Sequence, residues 1–270
     1  MFLPIFLNKI DPKWTWHFII IQLISKKMKK NTNENKMNPS KIEQLQNVCM
    51  TISELKSQLI DDLPHFAHQA LFFENDEITT GLLNNKTEIK INLLSGHLLY
   101  FDNEQGHFID ITQDDIQAKL SKIAAKYNLK MPEINLDKVN HSQLSEYYSY
   151  AIKAKRTIEL FRMTLEGNFT QVHLWPHHFD FSVEWFTGKK DEQIGTGISP
   201  GDAEYSEPYL YMNPYPFNPK ITQSNLPIGK WHTSSWKGIK VDREDLENYP
   251  QNEVTDLLHQ AFLIAKKNFE

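Results

Sequence analysis

Phe179-Asp180-Phe181-Ser182-Val183-Glu184-Trp185 alternates large apolar side chains with polar ones. A period of two marks a β-strand with one face on a core, because successive Cβ atoms point to opposite sides of the sheet. Phe181, Val183 and Trp185 then enter the core, and Asp180, Ser182 and Glu184 share the other face. At ~3.3 Å per residue, Asp180 and Glu184 lie ~13 Å apart along the strand. That exceeds the ~9.5 Å limit for the paired carboxylates of a glycosidase. Tyr209 to Met212 reads as a further short strand, stopped by Pro214 and Pro216. Ile239 to Asp242 leads into a final helix carrying Val254, Leu257, Leu258, Ala261, Ile264 and Ala265.

The preceding chain has related grammar. From Lys41, apolar residues recur at threes and fours (Ile42, Leu45, Val48, Cys49, Ile52, Leu55, Leu59), the stripe of an amphipathic helix. Phe66 to Phe73, Glu88 to Leu93, His97 to Phe101 and Phe108 to Ile111 read as strands of an antiparallel meander. Thr112 offers an N-cap for a helix through Ile116, Leu120, Ile123, Ala124 and Tyr127, and a long helix is expected over Ser142 to Glu166. The strand, cap and helix start of Ile109 to Ile116 recur at Ile239 to Leu246. The expected fold is therefore α+β, with antiparallel sheets, helices mainly on one side and a two-fold internal pseudo-repeat. Residues 41–270 form one domain with similar halves, 41–140 and 141–270, after a poorly ordered extension over 1–40.

That extension holds short apolar runs, Phe2 to Leu7 and Phe18 to Ile24, neither of which reaches the ~20 residues of a membrane span. The cluster Lys26, Lys27, Lys29 and Lys30 follows the second run, the reverse of a secretory signal, which leaves a weak interfacial anchor or a translation start at Met28 or Met37 as readings. No transmembrane segment is expected. A hydrophobic fraction of 40% supports a packed core, and a net charge of -5 opposes a nucleic-acid partner, which would need a cationic face. One cysteine, Cys49, can form neither an internal disulfide nor a thiolate metal site, so a reducing, cytoplasmic setting is expected.

Chemistry concentrates between Phe169 and Trp236, where aromatics make up about 19% of residues against 12% in the whole chain. Trp175, Tyr209, Tyr211 and Trp231 sit beside prolines, glycines and polar residues, a setting that suits the walls of a ligand pocket. His173, Asp180, Glu207 and His232 are the candidate catalytic groups, expected to converge on that pocket as tunable acids and bases. His173, His178 and Asp180 are weak metal-ligand candidates, and no motif specifies a cofactor. Gly197-Ile198-Ser199-Pro200-Gly201 matches a nucleophile-elbow string, but Pro200 lacks the N–H that the oxyanion hole needs. With Gly195, these glycines read as a surface loop that covers a site. The reading is a small-molecule-binding protein, with enzymatic activity left open. The alternative is a non-catalytic interaction module whose exposed aromatics meet another protein.

Val172-His173-Leu174-Trp175-Pro176-His177-His178-Phe179-Asp180-Phe181, followed by Phe186-Thr187-Gly188, resembles a motif of bacterial proteins that share a domain of unknown function. The resemblance covers residues 156–217. His173, Phe179, Asp180 and Gly188 match, whereas Trp175-Pro176-His177 departs from the pattern and leaves His177 without an implied role. It implies a shared fold and a focus on His173 and Asp180, and no reaction.

Because residues 1–36 show neither core periodicity nor caps, a chain starting at Met37 should melt within about 2 °C of the full chain. Differential scanning calorimetry checks this, and a larger loss would mean that the segment packs on the core.

Overall fold

The alternating stretch forms an interior strand of the larger of two antiparallel sheets. The computed structural model describes residues 39–83, 87–102 and 105–270, so the expectations for the N-terminal extension lie outside the described residues. The first sheet is a meander in chain order: β1 (Phe72–Glu74), β2 (Glu77–Thr79), β3 (Thr87–Asn92), β4 (His97–Asp102) and β5 (Gln105–Asp110). The second contains β6 (Asn168–Phe169), β7 (His173–Trp175), β8 (Asp180–Phe186), β9 (Gln193–Ser199), β10 (Tyr209–Tyr215), β11 (Lys230–His232) and β12 (Gly238–Asp242). Its order is β11-β12-β10-β9-β8-β6, and β7 also pairs with β8. The sheets meet where Leu71 and Leu174 exchange two backbone hydrogen bonds of 2.8 Å.

Five α-helices are described: α1 (Pro39–Ser57), α2 (Ile116–Lys126), α3 (His141–Arg162), α4 (Arg243–Glu247) and α5 (Gln251–Lys266). α3 lies against β8 and β9, and α5 against β10 and α3. Both bury an apolar stripe: Leu144, Tyr147, Ala151, Ile158 and Phe161 on α3, and Val254, Leu258, Ala261 and Phe262 on α5. Facing them are Phe181, Val183 and Trp185 of β8, Ile194 and Ile198 of β9, Leu210 and Met212 of β10, and Ile239 and Val241 of β12. The period of two on the strands thus meets the 3.6-residue period of the helices in one continuous core. Cys49 is part of this core, and burial pushes its thiol pKa up, as a structural cysteine requires.

Several expected boundaries move for local reasons. Phe66 does not open a strand: Pro64–Phe66 is a tight turn, and His65 and Phe66 have φ of 56° and 59°, outside the extended region. α2 is capped by Asp115, whose carboxylate accepts from the Ala118 N–H at 2.8 Å, while the Thr112 hydroxyl and N–H are taken up by Asp110. α3 stops at Arg162, four residues early, and Gly167 then turns the chain with φ 93°. The covering loop expected around Gly195 and Gly197 is instead β9, an interior strand.

The pseudo-repeat is not seen in the topology. β5 is an edge strand followed by an 11-residue helix, whereas β12 lies between β10 and β11 and is followed by the five residues of α4, which Pro250 cuts off from α5. The local resemblance reflects a shared strand-to-helix turn, and the pairing partners differ.

Phe161 is fully buried, whereas Phe108 is 64% exposed. Phe161→Ala should therefore cost ~3–5 kcal/mol and Phe108→Ala less than ~0.5 kcal/mol, as read from urea denaturation midpoints at constant slope.

Candidate functional site

The face of the second sheet turned away from α3 and α5 is polar and concave. Strand register sets its rows. Glu184 of β8 pairs with Gly195 of β9, which pairs with Asn213 of β10; Ser182, Gly197 and Tyr211 form the next row. At the end of the strands, Ser199 pairs with Tyr209, and Asp180 opens β8 opposite Trp175. Gly195 and Gly197 leave the middle strand without side chains on this face. A Cβ at Gly195 would come within 2.7 Å of the Glu184 carboxylate, and one at Gly197 would overlap the Tyr211 hydroxyl and lie 2.7 Å from the Phe181 carbonyl oxygen. The strand is bare because side chains from both neighbours lean over it.

Above this floor is a cavity of about 640 Å³, within the range of small-molecule sites. Asp180, Glu184 and Asp202 supply carboxylates; Tyr209, Tyr211, Tyr215 and Trp236 supply rings; His177 and His178 stand at the edge. The loop after β9 is held by Asp202, which accepts from the Glu204 and Tyr205 N–H groups (2.7 Å each) and from the Tyr209 hydroxyl (2.6 Å). Gly201 permits its turn with φ 112°.

Asp180 is 2% exposed. The Tyr211 hydroxyl donates to its Oδ2, and its Oδ1 has no partner. Burial raises its pKa, against the opposing effects of the Tyr211 bond and the nearby His178. Glu184 is pushed up to about 8 by burial and by the charge of Asp180, while Ser182, 3.4 Å away, offsets part of this. Ser182 also accepts from the Trp175 indole N–H at 2.8 Å. The Tyr211 phenol is raised by burial and by both carboxylates, so it stays protonated and remains a donor. The group is therefore an acid–phenol–acid array that burial biases towards its protonated forms.

Of the expected site residues, Asp180, Tyr209 and Tyr211 line this cavity. His173 and His232 do not converge. They sit on β7 and β11, at opposite edges of the sheet and five strand spacings apart, or ~24 Å at ~4.8 Å per spacing. His173 packs against Phe72 and Trp175, and burial and Lys56 depress its pKa to about 4. His232 stacks on Trp236 at 3.9 Å and bonds to the Tyr205 hydroxyl at 2.8 Å, bracing the cavity wall from behind. Glu207 meets Arg243 at 3.5 Å outside the cavity. Trp231 packs against the core on the other face, with its indole N–H on the Ser224 carbonyl. Among the described residues no group of three or more His, Cys, Asp or Glu side chains is placed to hold a metal, so the weak candidates His173, His178 and Asp180 do not form a ligand set. Ser199, the elbow serine, accepts from the Gly201 N–H at the end of β9.

Glu184, Asn213 and Asp202 complete the site without having been singled out for it. The alternation of Asp180 and Glu184 carried part of the signal, and Tyr211 was expected in the pocket wall, but a local pattern does not reveal that its hydroxyl reaches Asp180 from two strands away. No protein-family model, curated protein or solved structure matches the chain.

Gly197→Ala should destabilise the fold by ~1–3 kcal/mol through overpacking, readable as a lower denaturation midpoint. The raised pKa of Glu184 means that the native state holds a proton the unfolded chain releases. Its contribution to stability is present below the ordinary value of 4.5 and declines as pH rises towards about 8. Glu184→Gln should accordingly gain on wild type across that window, by ~1–3 kcal/mol after allowance for water in the cavity. Parallel urea titrations at pH 5 and pH 8.5 check the sign, and an unchanged difference would mean that Glu184 titrates normally.

Proposed function

We propose that this is a small-molecule-binding protein whose ligand occupies the cavity over β8, β9 and β10. The observation that carries the reading is the buried Asp180–Tyr211 pair with Glu184 beside it, in an aromatic-walled cavity kept open by two glycines. Leaving a carboxylate oxygen buried and without a partner is costly unless something supplies the missing interaction. A bare middle strand also gives up side-chain packing that a purely structural sheet would use.

One observation favours a catalytic version of the same reading. A carboxyl with a pKa of about 8 beside a protonated phenol is matched to proton transfer near neutral pH. The interaction-module alternative has less support. The strongly exposed apolar side chains Phe66, Leu82, Leu94, Phe108 and Met163 belong to separate turns, strands and helix ends, as scattered surface residues commonly do. Trp231, expected in the pocket wall, is packed against the core and adds nothing to an exposed aromatic surface.

Native mass spectrometry of the full chain after incubation with a cell metabolite extract tests the proposal. The expected result is a discrete added mass, lost on denaturation and absent from Gln193→Trp, which places a large ring in the cavity lining. No added mass, or one that Gln193→Trp retains, would overturn it.

A further inference from the structure

Resting on the binding role proposed above, we infer that the cavity selects a small organic cation with N–H donors, such as a primary ammonium group flanked by an apolar body. The cavity has three carboxylates, and neither lysine nor arginine is among its lining residues. Their demands for donors are met unequally. Asp202 is satisfied by Tyr209 and two backbone N–H groups, whereas Asp180 retains an unpartnered Oδ1 and Glu184 has the hydroxyl of Ser182 at a long 3.4 Å. Asn213, in the same row as Glu184 and Gly195, has a buried Oδ1 without a partner. The unmet groups on this floor are therefore oxygens, and a complementary ligand must donate.

Nearby cations do not meet that demand. Lys240, one strand beyond Tyr211, is paired with Asp242 and lies over the Tyr205 and Tyr209 rings, 4.1 Å and 5.4 Å from their centroids. It shows that these tyrosine faces accept a cation from one side. Tyr209, Tyr211 and Trp236 are also among the residues that line the cavity, and aromatic rings attract cations. An anion would add negative charge beside three acids with no lysine or arginine in the lining to balance it, and a neutral ligand would leave Asp180 and Glu184 in their protonation-favouring burial. An ammonium group placed between those two acids and the Tyr211 ring satisfies the free oxygens and lets both acids ionise.

Isothermal titration calorimetry on the full chain at pH 8 tests this with 2-phenylethylammonium and 1,4-diaminobutane against their neutral analogues, 2-phenylethanol and butane-1,4-diol, and against 3-phenylpropionate. At least one amine should bind saturably, at least about tenfold more tightly than its alcohol, and 3-phenylpropionate should not bind. Asp180→Asn and Glu184→Gln, each with wild-type circular dichroism, should each weaken the amine about tenfold or more. Should Asp180→Asn fail to fold, Glu184→Gln alone decides the point. An alcohol or carboxylate that binds as tightly as the amine, a Glu184→Gln chain that binds the amine like wild type, or no amine binding up to about 10 mM would overturn the inference. An extract ligand that Gln193→Trp excludes, found together with amine failure, would leave the binding role standing and remove only its cationic specificity.

Discussion

The structure depends on a sheet that has to be buried differently on its two faces. On one side, β8, β9, β10 and β12 present an apolar surface to α3 and α5, and this contact buries large side chains from both layers in one core. On the other side the same strands carry Asp180, Ser182, Glu184, Tyr209, Tyr211 and Asn213. Because side chains alternate strictly along a strand, the apolar face cannot be improved by shifting register without turning this polar set into the core. The polar face is fixed as firmly as the hydrophobic one.

Gly195 and Gly197 are where that constraint becomes a site. In an interior strand glycine weakens packing and gives up conformational entropy on folding, yet here two occur at alternate positions on the face where Glu184 and Tyr211 need space. The Tyr211 hydroxyl crosses this gap to reach Asp180 on β8, two strands away from its own. Burial then acts on all three groups in one direction, towards the protonated form.

The remainder of the face is scaffolding for that array. Asp202 fixes the loop beyond β9 and orients Tyr209; Trp236 is clamped between Tyr209 and His232. His232, an expected acid or base, thus has a mechanical part in holding the ring that lines the cavity, and His173 belongs to a separate packing cluster with Phe72 and Trp175. Their separation follows from strand order: β7 and β11 are both short additions at the margins of the sheet.

The sequence by itself determined the α+β class, the first-half meander, the helical stripe of α1, the long helix α3, the apolar and polar faces of β8, and the presence of Asp180, Tyr209 and Tyr211 among the candidate site residues. These are local properties: period, capping chemistry and composition act within a few residues. What only the tertiary structure decided is which strands are neighbours. Strand order is set by long-range pairing, on which a local pattern is silent, and it placed His173 and His232 at opposite edges, moved Trp231 to the core face and put Glu207 on Arg243. The same pairing turned Gly195 and Gly197 from an apparent loop into an interior strand. A glycine carries no hydrophobic signal of its own, and its purpose appears only once the side chains that fill its space are known.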